Sequence, residues 1–410
     1  MIGKITSEKK IILFFISPIL ALIASMKSMH TKSSRLVLFL FILFFGFSML
    51  YDGSLRNDGL FHAVEFQGFK RYTFDDWLRQ VSSFFDSDNP EHVKDIYDIT
   101  IKYLISRFTD NYHCFFFAIS ILYAFFTVKF FKLFGDIQKF TWSIPWVILL
   151  YIFWDPQPVN INGVRFGTAS VIAVYSIFKI FVHKDKRYFL LIGVTPLIHA
   201  TFVFVYGMLA LIFLTRRFEK CWIVLLFLSF VFSELSLQIL RDSSLLIQSP
   251  FLAGWVDNYI TEETYASKAS GFYWLAPIFN FLSRVFMLGM LIIMIKYKVV
   301  VINDKRTKDL YMLSIIWYSV SNFAFAVPSL GERFIHISFP FIAYVWAIHF
   351  LNTGYKKYLY LFPLCNLTIL KVKMDIYMSL FEPTFLISPI INFVKYTAEY
   401  IPASIPPGFI

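Results

Sequence analysis

YFLLIGVTPLIHATFVFVYGMLALIFL, residues 188–214, runs for 27 residues without a single Lys, Arg, Asp or Glu. One upright helix of that length would rise about 40 Å, against a hydrocarbon core of about 30 Å. Pro196 has no amide proton and His199 is polar, so the run reads as two short helices, 188–197 and 200–214, that meet at one face. The flanks agree. HKDKR at 183–187 and TRRFEK at 215–220 each carry a net +2, and Lys and Arg collect on the cytoplasmic side of a membrane. Two basic flanks on one side require a hairpin, with His199 at its external turn.

The whole chain supports a membrane setting. Of its 410 residues, 58% are hydrophobic, 20% aromatic and only 16% charged, against about 25% charged in an ordinary soluble domain. With 51 Phe it is neither a disordered chain nor one that could cover a core with water-facing side chains. The net charge of +11 is dispersed in short clusters between apolar runs, which reads as membrane orientation and not as a nucleic-acid patch. Cys114, Cys221 and Cys365 are too scattered for a disulfide framework, a zinc site or CxxC chemistry.

Further apolar stretches lie at 11–25, 36–50, 113–128, 143–154, 163–182, 222–240, 272–296, 309–328, 333–351 and 357–370, with a short run at 385–397 that contains Pro389. The reading is an all-α polytopic membrane bundle of 11 to 13 segments, forming one membrane domain over 1–410. The loops at 26–35, 129–140, 183–187, 215–220, 296–308 and 352–357 sum to +15, and those at 51–112, 155–165, 241–270 and 329–333 to −6. The first set is therefore cytoplasmic and the second external. The N-terminal tail, at +2 on the side read as external, dissents. Two external excursions stand out: 51–112, where Ile96, Ile99, Ile101, Leu104, Ile105 and Phe108 recur at helical spacing and suggest an amphipathic helix on the membrane or over a cavity, and the acidic 241–270.

Ionisable groups in or beside spans are expensive and hence functional candidates. DPQPVNINGVRFGTAS, 155–170, brings Asp155, Asn160 and Asn162 to the external end of a helix with Arg165 in its first turn, and Gly163 and Gly167 give a small-residue seam for close packing. The competing reading is an arginine that snorkels to headgroups. LIHATF puts His199 at the break between half-helices, where open backbone is tolerated only inside protein or beside a watery cavity. PSLGERFIHISFP opens another helix with Glu332 and Arg333, and His336 follows within i, i+3 reach of Arg333. Arg165, His199 and Arg333 thus share one external level. Two guanidiniums there suit an anionic ligand of phosphate geometry, and a diphosphate on a lipid carrier fits the depth and the apolar flanks. Glu234 and Arg284, inside spans, read as a buried pair that fixes two helices. Walker, HExxH and paired CxxC motifs are absent.

At these motifs the sequence resembles the EpsG/Wzy-type family of exopolysaccharide and O-antigen repeat-unit polymerases: a long external loop with Asp52 and Asp58, the Arg of NGVRFGTAS, the His of LIHATF and the late Arg of GERFIHISFP. It departs from the family where Phe166 replaces a common Gln, where Ala200 and Thr201 replace a basic residue and Ser, and where Ile337 replaces a Tyr. The resemblance implies a multi-pass glycosyltransferase of the bacterial cytoplasmic (inner) membrane with an outward-facing site. It would polymerise polyprenyl-diphosphate-linked oligosaccharides into capsular, exopolysaccharide or O-antigen chains, with a chain-length regulator or flippase as a partner. Arg165, His199 and Arg333 would be its catalytic residues, and Arg165, Arg333, Asn162, His336, Asp58 and Glu332 would bind substrate.

In the mechanism this suggests, Arg165 and Arg333 hold the donor diphosphate while an acceptor hydroxyl attacks the anomeric carbon. His199 serves as base, with Asp58, Glu332 or His336 as substitutes. The donor is already activated, so no cofactor or metal is expected. The rivals are a glycosyltransferase that uses a polyprenyl-phosphate sugar, with Asp52 or Asp58 as base, a lipid-linked oligosaccharide flippase, and a membrane O-acyltransferase, which the charge count disfavours.

Overall fold

The computed structural model describes residues 7–26, 28–51, 58–86, 93, 95–137, 143–155, 158–232, 276–326, 330–366 and 382–398. Among them the chain is helical apart from turns and connections: α1 Ser7–Ile16, α2 Pro18–Met26, α3 Lys32–Phe47, α4 Asp58–Gly68, α5 Phe74–Ser83, α6 Tyr97–Ser106, α7 Tyr112–Gly135, α8 Ile144–Phe153, α9 Arg165–Phe181, α10 Tyr188–Ile198, α11 Val203–Thr215, α12 Glu219–Val231, α13 Ala276–Lys296, α14 Lys298–Asn303, α15 Lys308–Phe323, α16 Gly331–His349 and α17 Pro389–Ala398. Asp52, Glu234 and the second expected excursion, 241–270, lie outside the described residues.

Local chemistry sets several of these boundaries. Asn111 and Ser143 cap α7 and α8 by accepting from the amides of His113 and Trp146. Thr73 and Asp76 form a reciprocal capping box that starts α5. The segment expected as one span at 11–25 is instead two helices, because Pro18 has no amide proton and its ring disfavours helical geometry at Ser17. The core between α7, α8 and α9 is aromatic: Phe153 stacks on Phe130 with ring centres 4.1 Å apart, and Phe134 stacks on Trp146 at 5.1 Å.

The expected hairpin is present. α10 ends at Ile198, His199 is extended (φ −154°, ψ 116°), and a 3-10 turn over Ala200–Phe202 leads into α11. The His199 Nδ1 accepts from the Thr201 amide at 3.3 Å, so the histidine caps the helix that follows it. The Leu197 carbonyl, just before the break, accepts from the Ile96 amide at 3.1 Å. The open backbone is thus satisfied by protein, as a non-aqueous setting demands.

Two described helices, Tyr112–Gly135 and Ile278–Lys296, are both long and apolar enough to cross a bilayer alone. Other apolar runs give shorter helices, such as the 10 residues of α8, which rise only about 15 Å. The run expected at 357–370 begins as a 3-10 helix, Gly354–Leu361, followed by helical residues 362–366. Large apolar side chains stay exposed along α10 to α12, among them Leu190, Leu214 and Val231. Helices that are apolar on all sides fit lipid better than water.

Candidate functional site

The DPQPVNINGVRF segment doubles back on itself. After α8, a 3-10 turn over Pro158–Gly163 leads to Val164, a buried β-branched residue held at φ 39° and ψ −65°, and α9 begins with Arg165. Such a backbone is strained for valine, and the packing around it must hold it there. A Cβ on Gly167 would run into the carbonyl of Asn160, so only glycine lets the turn lie against the first turn of α9. Gly163 has open space where its Cβ would stand. The expected two-glycine seam is therefore a one-glycine contact within the motif. Asn162 accepts from the Tyr51 hydroxyl at 2.8 Å. Asp58 opens α4, is exposed, and acts with burial and Tyr112 to raise the Tyr51 hydroxyl well above its ordinary value.

The three motifs meet on Phe166. The Arg333 guanidinium lies 5.2 Å from the centre of its ring, the His199 imidazole meets it edge-on at 5.5 Å, and Phe202 and Phe334 close around it. Arg165, the preceding residue, donates from Nη1 to Asp95 Oδ2 at 3.0 Å and stays about one-third exposed. The two arginines that sequence places on one level therefore flank a single aromatic residue, although helices from remote parts of the chain supply them.

His199 differs from its expected role. Nδ1 is engaged by Thr201, whose amide donates to it at 3.3 Å and whose hydroxyl lies 2.8 Å away, and a neutral ring that accepts there carries its proton on Nε2. That suits an anionic ligand better than it suits proton abstraction. The expected pairing of Arg333 with His336 is also absent. Arg333 turns to the Phe166 face, while His336 Nδ1 stands 2.8 Å from Asp155 Oδ2, off the line of a straight hydrogen bond. The Asp155 carboxylate beside His336 and the quadrupole of Phe166 under Arg333 draw the two side chains to adjacent stripes of the helix.

The first excursion contributes directly. Asp95 is buried against Arg165, and the next residue, Ile96, donates its amide to the hairpin carbonyl of Leu197. Two consecutive residues thus tie the arginine motif to the histidine motif. Burial pushes the Asp95 carboxyl up to about 6, Arg165 opposes the rise and Asp98 adds to it.

The expected amphipathic helix exists as α6, with Ile99 buried and Ile101 and Ile105 packed against the core, but polar groups share its inner face. Its buried stripe is Asp98, Ile99, Lys102 and Ser106, and Leu104 and Phe108 are exposed. The physical reason is an ionic cluster: the fully buried Lys102 Nζ reaches Asp98 Oδ2 and Glu65 Oε2 at 2.6 Å and His62 Nδ1 at 3.0 Å. Burial alone would raise Asp98, yet His62 and Lys102 outweigh it and hold the carboxyl well below the usual range. His62, Glu65 and Asp98 are metal-ligating in kind, but the ammonium occupies the place a cation would take.

Beside this centre lies an open cleft lined by Asp155, Glu332, His336, Arg284, Asn280 and Asn366, with aromatic walls that include Tyr151 and Phe362. Neither Arg165 nor Arg333 lines it. Arg284, expected to pair with Glu234, is buried with its guanidinium 4.0 Å from the Phe325 ring centre.

Sequence reasoning missed Asp95 and Phe166 as organisers. Asp95 is one acid among many in its loop, and nothing in the spacing marks it out. Phe166 was visible only as a departure from a common glutamine. No curated protein and no solved structure matches the chain. The model of the EpsG family does match, over residues 66–397, and that stretch takes in the three converging motifs, the excursion from residue 66 onward and the cavity. The chain belongs to the EpsG family.

Proposed function

We propose that the protein is a membrane glycosyltransferase that polymerises polyprenyl-diphosphate-linked oligosaccharide repeat units on the outer side of the bacterial cytoplasmic membrane. The observation that carries the reading is the stacking of Arg333 on the ring next to Arg165, with His199 on the edge of that ring. Arg165 and Arg333 hold the donor's diphosphate, and His199 donates to it from Nε2. As the bond from the anomeric carbon to the diphosphate breaks, negative charge grows on the leaving group and meets donors already in place. Arginine keeps its proton throughout and acts as a clamp, never as a base. Asp95 fills the anion position on Arg165 at rest and yields it to the diphosphate. Asn162 and Asp58 line the approach from the first excursion. Block transfer of this kind extends the polymer by one repeat at each turn.

The test is Arg165→Ala in cells. Loss of polymer with single lipid-linked repeats exposed on the outer face supports the polymerase reading. Repeats retained on the inner face would make the protein a flippase, and unchanged polymer would remove Arg165 from the chemistry.

A further inference from the structure

The Arg165–Arg333 centre accounts for the donor's diphosphate and leaves the neighbouring cavity unused. That cavity has the composition of a carbohydrate site: amides of Asn280 and Asn366 for hydroxyls, and rings of Tyr151 and Phe362 for sugar faces. Ser283 and Asn366 are already joined by a 2.9 Å hydrogen bond, so this part of the wall is held in place before a ligand arrives. Within it, His336 and Asp155 form a close pair at 2.8 Å. His336 lies one turn from Arg333 on α16, about 5 Å along the axis. The first turn of that helix therefore presents a diphosphate clamp on one stripe and an acid–imidazole pair on the next.

We propose that the cavity is the acceptor subsite, which takes the terminal sugar of the growing or incoming oligosaccharide, and that His336 is the general base for its attacking hydroxyl, with Asp155 as its positioning residue. This rests on the polymerase reading above. The carboxylate beside Nδ1 favours a proton there, which leaves the Nε2 lone pair as the basic position of the ring. The acceptor oxygen bonds to the donor's anomeric carbon as that carbon's bond to the diphosphate oxygen breaks. The hydroxyl proton passes to His336 Nε2, and the bonding pair departs with the polyprenyl diphosphate. Asp155 offsets the imidazolium that forms. Glu332 and Arg284 are the other charged groups facing the imidazole across the cavity. Two neighbouring subsites also explain why His199, held as a donor, need not act as the base.

The experiment uses the full-length protein reconstituted in liposomes, with lipid-linked repeat units extracted from a strain blocked in polymerisation and a soluble repeat-unit oligosaccharide as acceptor. His336→Ala lowers turnover by about 10²–10³-fold, while KM for the lipid-linked donor moves by less than about threefold. Asp155→Asn lowers turnover by about tenfold while both KM values stay within about threefold, and Asp155→Glu restores part of the lost turnover. Asn280→Trp fills the cavity and raises the acceptor KM without changing the binding of polyprenyl diphosphate. Turnover of His336→Ala within about threefold of wild type overturns the proposal. So does a loss of turnover that comes with loss of polyprenyl diphosphate binding, since that marks a structural role. Wild-type protein that extends no chains would instead sink the polymerase reading itself.

Discussion

Arg165 is paired at rest with one anion, Asp95, in the proposed function a second arrives with the substrate, and the first of them titrates. Burial raises the Asp95 carboxyl from 3.8 to about 6, so folding takes up a proton between those values. The stability Asp95 contributes is fully present below its unfolded pKa and is lost as pH rises through about 6, by up to about 3 kcal/mol. Asp95→Asn should therefore gain on wild type, in melting temperature measured in detergent, as pH is raised from about 4.5 to 7.5. A constant difference across that range would show that the carboxyl does not titrate as placed. The same variant leaves Arg165 without its resting counter-ion and should lower KM for the diphosphate lipid. Phe166→Leu keeps an apolar side chain but removes the ring under Arg333, a contact of about 0.5–2 kcal/mol, and should weaken diphosphate binding by a few fold to about thirtyfold with little change in fold. Arg165, His199 and Arg333 could be singled out from sequence because charged or polar groups beside apolar runs are rare. Asp95 could not, because acids are common in a polar loop and only the docked helix shows which one faces inward.

The hairpin and α6 show what sequence conveys about an element and what it withholds. Chain length, Pro196 and the charges of the flanks fix the break at His199, and the observed helices start and stop within three residues of that reading. The orientation of α6 was not accessible in the same way. Its apolar periodicity was real, but Asp98 and Lys102 of α6 are buried against His62 of α4, with the exposed Glu65 at the edge of the cluster, and pairing across 36 to 40 residues leaves no mark in local spacing. Removing the cation from that cluster strands the buried Asp98 carboxylate away from water. Lys102→Met should destabilise the docked excursion by about 3–5 kcal/mol, seen as faster proteolysis of the 58–106 region with the rest of the helices intact. It should also reduce activity, because Asp95 and Ile96 lead directly into the same helix. Cleavage at the wild-type rate would show that the cluster does not hold the excursion down.

At the scale of the molecule, the motifs converge because helices on which they begin or end come together at one place: α9 and α16 start there, α10 stops there, and the first excursion covers the join. Charge counting put the three motifs on one external level without any knowledge of contacts, and the structure brings them together at Phe166. It did not anticipate that several apolar runs form helices too short to cross alone, since hydropathy measures composition and not where a helix is capped. The orientation it gives is checkable. In a cysteine-free background, Asp75→Cys in the exposed first excursion should react with an impermeant maleimide in intact cells, and Lys186→Cys in the basic loop only after permeabilisation. The reverse pattern would invert the reading. The most direct measurement is binding of polyprenyl diphosphate against polyprenyl monophosphate to the purified protein and its single variants. Wild type should prefer the diphosphate by at least about tenfold, or about 1.4 kcal/mol, and Arg165→Ala and Arg333→Ala should each lose that preference. Equal preference in all three proteins would contradict a clamp built from these two arginines.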